Sequence, residues 1–168
     1  ERAQQFAGKY LVENIFTDLN EMAESKSIDA VYIASPNSLH KKQSILFLNN
    51  QKHVLCEKPL ASNCKEVMQM IKVAKNNKVL LMEAMKTTFL PNFNAVKENL
   101  HKIGKIRRVV SNLCQYSSRY DGYRQGQKTN IFNPKFSTGS LMDIGVYCVY
   151  PIIYFFGKPK DIVASCTI

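Results

Sequence analysis

A chain of 168 residues, 45% hydrophobic and 21% charged, has the size and composition of a soluble globular protein with one sizeable core or two small ones. The formal charge of +10 raises nucleic acid as a partner, but the lysines (Lys41, Lys42, Lys58, Lys65, Lys72, Lys75, Lys78) are dispersed. Only residues 102–108 concentrate them, with no reader motif nearby, so no nucleic-acid partner is expected. The five cysteines (Cys56, Cys64, Cys114, Cys148, Cys166) show no C-x-x-C spacing, which argues against a zinc site or a disulfide framework and fits a reducing, cytoplasmic setting.

Residues 1–8 read as the back half of an amphipathic helix closed by Gly8, so the chain reads as a fragment that begins inside an element. No signal peptide is visible. Leu11 to Phe16 is a short apolar strip. Asp18-x-x-Glu21 has capping-box spacing and predicts a helix to about Ser25. The nearly continuous apolar run from Ile28 to Ala34 predicts a strand buried on both faces. Pro36 stops it, and Asn37 or Ser38 can cap the next helix, which carries Ile45, Leu46 and Leu48. Val54-Leu55-Cys56-Glu57-Lys58-Pro59 reads as a buried strand halted by a charged pair and a proline. Ala61-Ser62-Asn63 is a place where a helix can start, residues 66–75 follow at helical spacing, and Val79 to Ala84 predicts a further strand.

Strand, helix, strand, helix, strand at intervals of about 25 residues builds a parallel sheet, and ligands sit at the carboxyl ends of such strands. Lys58 stands at one of those ends. The fold class is α/β, with a partial Rossmann (doubly wound) domain over residues 1–87. The rhythm changes over residues 88–168, which read as the start of an α+β domain. Pro91 opens a helix, residues 105–116 predict a long strand, and 117–138 read as a long loop. A helix then runs from Gly139 or Ser140 to near Gly157, and residues 160–168 begin another strand. The apolar run from Val146 to Phe156, eleven residues broken by Pro151, is too short for a membrane span and is expected as a core helix.

Four stretches carry a resemblance. They are Ala34-Ser35-Pro36-Asn37-Ser38-Leu39-His40, Cys56-Glu57-Lys58-Pro59-Leu60-Ala61, Met82-Glu83-Ala84-Met85, and the run from Gly139 to Tyr147. In register they resemble the glucose–fructose oxidoreductase and inositol dehydrogenase (Gfo/Idh/MocA) family. That resemblance implies an N-terminal Rossmann domain for NAD or NADP and a C-terminal domain with an open, mostly antiparallel sheet. It implies a catalytic Lys58 and cofactor contacts from Ser35, Pro36, Asn37, His40, Glu57 and Lys58. The family's Asp-x-Gly-x-His motif falls on Asp143, Gly145 and Tyr147, and the tyrosine resembles the branch of dimeric dihydrodiol and NADP-linked xylose dehydrogenases. A homodimer follows from the resemblance alone. The family's glycine-rich turn, G-x-G-x-x-G, does not occur in this sequence and is expected upstream of Glu1.

The residue types suit the chemistry. Asp143 and Tyr147 are four apart and share a helix face. Oxidising an alcohol requires loss of the hydroxyl proton while hydride leaves for a nicotinamide. A phenol ordinarily titrates near pH ~10, and a neighbouring ammonium favours its ionised form. Tyr147 is accordingly the expected acid/base, Lys58 its tuner and Asp143 the orienter of the substrate hydroxyl. Each residue also has a plainer reading: Tyr147 as a core tyrosine, Asp143 as a helix cap, His40 as a helix-start residue without a role. Arg119 and Tyr123 are expected at a small-molecule substrate, or else belong to an aromatic loop packed on its own domain. No metal ligands are expected, since His53 and His101 lack partners at ligand spacing. The competing function is a redox-inactive relative serving as a binding or assembly module.

Overall fold

The computed structural model describes residues 1–165; the end of the last expected strand, with Cys166, lies outside the described residues. The chain forms two compact units, one from Glu1 to Ala84 and the other beginning at Met85.

The first unit opens with helix α1 (Arg2–Tyr10), which runs through Gly8 rather than stopping there. A single helical glycine costs only about 1 kcal/mol. The helix ends instead at Leu11, in the left-handed conformation at φ 53°. Helix α2 (Leu19–Glu24) starts as its sequence predicts, with the Asp18 carboxylate accepting from the Asn20 and Glu21 amides at 2.7 and 3.0 Å. Strand β1 (Ala30–Ile33), helix α3 (Asn37–Asn49), strand β2 (His53–Cys56), helix α4 (Cys64–Asn77) and strand β3 (Leu81–Glu83) follow. Asn63 caps α4 by accepting from the Glu66 amide.

The three strands form a parallel sheet in the order β1-β2-β3, with Ile33 opposite Cys56 and Cys56 opposite Glu83. Val31, Ile33, Val54 and Cys56 face the core with Ala23 of α2, Phe47 and Leu48 of α3 and Ala74 of α4. Complete burial of a side chain such as Leu48 contributes about 1.5–3 kcal/mol. The expectation that β1 is buried on both faces is corrected. Burial alternates along β1 and β2, leaving Tyr32 57% and Leu55 40% exposed, because the core helices all lie against the other face. An unbroken apolar run marks a strand but does not say how many of its faces are covered.

The second unit holds helix α5 (Pro91–Asn99), helix α6 (Tyr120–Arg124) and helix α7 (Val146–Phe156). The strand expected over 105–116 pairs with nothing among the described residues, and residues 160–165 form no strand either. A strand needs a neighbour for its backbone hydrogen bonds, and a sequence pattern cannot supply one. The stretch expected as a loop over 117–138 is partly helical, containing α6 and two 3₁₀ turns at Asn130–Phe132 and Pro134–Phe136. A π-helical turn, Leu141–Gly145, leads into α7.

Helix α7 is not a core helix, since none of its residues is buried. Its aromatic side chains pack on α5, where Phe93 stacks on Phe155 at 4.7 Å between ring centroids. By length and composition Pro134–Phe156, of mean hydropathy 1.4, would suffice to cross a membrane. Backbone breaks at Ser137 (φ 54°) and Gly139 (φ 120°), together with the π turn, divide that stretch into separate pieces.

Candidate functional site

A parallel sheet puts all its carboxyl ends on one edge, so the segments after Ile33, Cys56 and Glu83 meet there. Pro36 enters α3 at that edge with no side-chain cap hydrogen bond, and the Leu39 amide donates to the Pro36 carbonyl at 2.8 Å; a helix N-terminus is the end that favours anionic groups. Ser35 uses its hydroxyl internally, donating to Gln43 Oε1 at 2.6 Å. Asn37 is the first residue of α3.

Glu57 and Lys58 follow β2 directly, both half-buried. The Glu57 amide continues the ladder by donating to the Ile33 carbonyl at 2.9 Å. One carboxylate oxygen of Glu57 accepts from the Tyr32 hydroxyl, and the other from the Lys58 amide at 3.1 Å. The Lys58–Pro59 bond is cis.

His40, expected to contact a cofactor, is placed otherwise. Its ring is fully buried, with Nδ1 2.9 Å from the Pro59 carbonyl oxygen and Nε2 2.8 Å from that of Ser35. Both ring nitrogens face main-chain carbonyl oxygens, of which a neutral imidazole can donate to one, and neither nitrogen is offered outward. A histidine in the first turn of a helix reads in sequence as facing a ligand; here that turn packs inward against the next loop.

Glu83 lies in one of the four resembling stretches, but the sequence assigns it no role. Its half-buried carboxylate accepts from the Leu60 amide at 2.8 Å, across 23 residues of chain. It also lies near Cys56. Burial pushes the Cys56 thiol up to about 11, and the Glu83 and Glu57 carboxylates add to the effect.

In the second unit, Asp143 lies in the π turn and donates its amide to Gly139 O at 2.9 Å. It lines a cavity of about 340 Å³ with Arg119, Gln115 and the hydroxyls of Ser117, Ser118 and Ser140 on one hand and the apolar Ile131, Phe132 and Ile144 on the other. Tyr123 lines a neighbouring cavity of about 400 Å³ with Thr129 and Asn130, and Phe132 borders both. The loop's aromatics also pack on one another. Tyr123 meets Phe132 at 4.7 Å, and Tyr116 meets Tyr120 at 5.5 Å. The Tyr116 hydroxyl donates to Asp121, which holds that phenol above its ordinary value. Tyr147 is half-buried one residue into α7. Among the described residues, no three His, Cys, Asp or Glu side chains gather as a metal site.

Comparison with known proteins matches both units. Residues 1–85 match the oxidoreductase family with an NAD-binding Rossmann fold, and residues 94–168 match the GFO/IDH/MocA C-terminal domain. The chain is 61% identical over 165 residues to scyllo-inositol 2-dehydrogenase (NADP(+)) IolU of Bacillus subtilis, covering 98% of this chain and 50% of that protein. It is 35% identical to trans-1,2-dihydrobenzene-1,2-diol dehydrogenase of Danio rerio, covering 97% of this chain and 48% of that one. The chain thus spans about half the length of the curated relatives it matches. The structure of aldose-aldose oxidoreductase from Caulobacter crescentus, complexed with glycerol, superposes with a TM-score of 0.74 at 23% identity. It covers 93% of this chain and 47% of that one, a likeness of fold. With the strand-end Glu57-Lys58-Pro59 in the first unit and the Asp143-x-Gly145-x-Tyr147 turn in the second, the chain belongs to the Gfo/Idh/MocA oxidoreductase family.

Proposed function

We propose that the full-length protein is an NAD(P)-dependent oxidoreductase acting on a hydroxyl group of a sugar, polyol or related cyclic alcohol. The observation that carries this reading is the position of Lys58. It is half-buried at the carboxyl edge of a parallel sheet, the edge at which the thirteen-residue helix α3 begins. The names of the relatives, an inositol dehydrogenase and dihydrodiol dehydrogenases, support the substrate class. Ser35, Pro36, Asn37, Glu57 and Lys58 are the residues that would hold the nucleotide, and the first-turn amides of α3 suit a polar or anionic part of it. A nicotinamide, when bound, supplies the acceptor for hydride.

The chain's own residues handle the proton. Tyr147 takes it from the substrate hydroxyl during oxidation and returns it during reduction. Lys58 holds the phenolate by charge and donates to the same hydroxyl. Asp143, in the cavity with Arg119, orients the substrate through a second hydroxyl. Residues 1–87 would then be the dinucleotide-binding domain and 88–168 the beginning of a substrate and dimerisation domain, in a cytoplasmic dimer.

In the full-length protein, Tyr147→Phe and Lys58→Met should each lower kcat by about 10²-fold or more, the scale of general acid–base catalysis. Turnover on a polyol panel that is unchanged by either substitution removes that residue from the mechanism. A parent protein that shows neither NAD(P)H fluorescence enhancement nor turnover identifies a redox-inactive binding module instead.

A further inference from the structure

The peptide unit joining Pro59 to Leu60 is gripped at both ends. Its carbonyl oxygen lies 2.9 Å from His40 Nδ1, and its N–H donates to Glu83 Oε1 at 2.8 Å. The two grips come from different elements: His40 from the first turn of α3 and Glu83 from the last residue of β3. The other ring nitrogen of His40 reaches Ser35 O, tying the loop after β1 to the loop after β2. Both gripping groups are shielded from solvent, His40 completely and Glu83 partly. Hydrogen bonds to a carboxylate from a backbone amide are stronger than neutral ones.

We propose that Glu83 and His40 are positioning residues for Lys58, holding the peptide just beyond it so that its ammonium stays where the proton transfer needs it. This rests on the reading of Lys58 as a group that acts on the substrate hydroxyl. Neither residue touches substrate; both act through the main chain of the loop. With the grip on Leu60 released, the Glu57 amide still holds β1 and the Ala84 amide still holds the Cys56 carbonyl, but the loop beyond Lys58 loses its hydrogen bond to Glu83. A misplacement of about 1 Å in a reacting group can lower turnover by about 10²-fold.

The test uses the full-length protein with Lys58→Met, Glu83→Leu and Glu83→Gln, with melting temperature recorded for each. The readouts are kcat, KM, nucleotide affinity and hydrogen exchange of the Leu60 amide in a peptide spanning Glu57 to Asn63. Glu83→Leu should speed Leu60 exchange and lower kcat by about ten- to a hundredfold with little change in nucleotide affinity. Glu83→Gln keeps an acceptor oxygen in place and should recover most of both. His40→Phe, which keeps a ring and drops both ring nitrogens, should lower kcat in the same direction.

The proposal is overturned if Leu60 exchange in Glu83→Leu matches the parent. It is also overturned if exchange rises while kcat stays unchanged, or if activity falls only through weaker nucleotide binding. A fully active Lys58→Met removes the reading of Lys58 itself. An impaired Lys58→Met beside a fully active Glu83→Leu removes the positioning role alone.

Discussion

Cys56 and Gly139 show how far a single position can be judged from its surroundings. Cys56 is buried at the end of β2 with its thiol held near 11, whereas Cys64 and Cys114 are exposed. Thiolates are the reactive form. Labelling with a disulfide reagent at pH 8 should therefore modify Cys64 and Cys114 quickly, and Cys56 only after denaturant is added. Gly139 has φ 120°, outside the range of ordinary L residues, and open space around it. The cost of Gly139→Ala is thus one of backbone conformation, about 1–3 kcal/mol, and should appear as a lower Tm.

Among the site residues, Lys58 is legible because an apolar run ending at a proline locates a strand end. The inward turn of His40 and the grip of Glu83 are not legible. Each depends on a partner 19 or 23 residues away whose approach only the packed sheet creates.

Elements were most legible where local chemistry closes on itself. The Asp18 cap of α2 needs only the three residues that follow it, and the structure has it as the spacing predicts. The two amide donors, Glu21 first, hold the Asp18 carboxyl below its ordinary 3.8. A carboxyl lowered in the folded state adds stability that is present above its unfolded value and is lost as pH falls through the folded one. Asp18→Ala should therefore lower Tm at pH 7, and the difference from the parent should close once pH drops well below 3.8. A difference that persists unchanged at pH 2 would show that the ionised carboxyl is not what holds the helix start.

Residues 105–116 illustrate the opposite case. Their apolar pattern predicts a strand, but strand formation is a property of a pair, and among the described residues no partner lies alongside. Helix α7 ends before Gly157 as the sequence predicts, but it begins at Val146 after a π turn and none of its residues is buried. Apolar content told of a packed helix without saying how much of it another element would cover.

At the scale of the molecule, the alternation of strands and helices through Ala84 made the parallel sheet readable. Its period is set by elements that each bury one face, and the order β1-β2-β3 follows from crossovers of ordinary length. The second compact unit begins at Met85. The site is harder to read at this scale, because its proposed members come from both units and nothing in a local pattern ties Lys58 to Asp143 or Tyr147. The dispersed lysines remain consistent with a solvated surface, and salt titration tests this: affinity for duplex DNA should be negligible at physiological ionic strength, where electrostatic binding alone fades steeply.

The half-covered sheet carries a practical lesson for anyone dissecting the protein. With Tyr32, Leu55 and Met82 all pointing away from the helices, a piece cut at Ala84 would offer solvent a pleated, greasy side. Such a piece should light up hydrophobic dyes and clump on concentration. Replacing those three side chains with threonine or lysine is the alteration that should turn it into a well-behaved miniature, with the opposite side of the pleat left untouched.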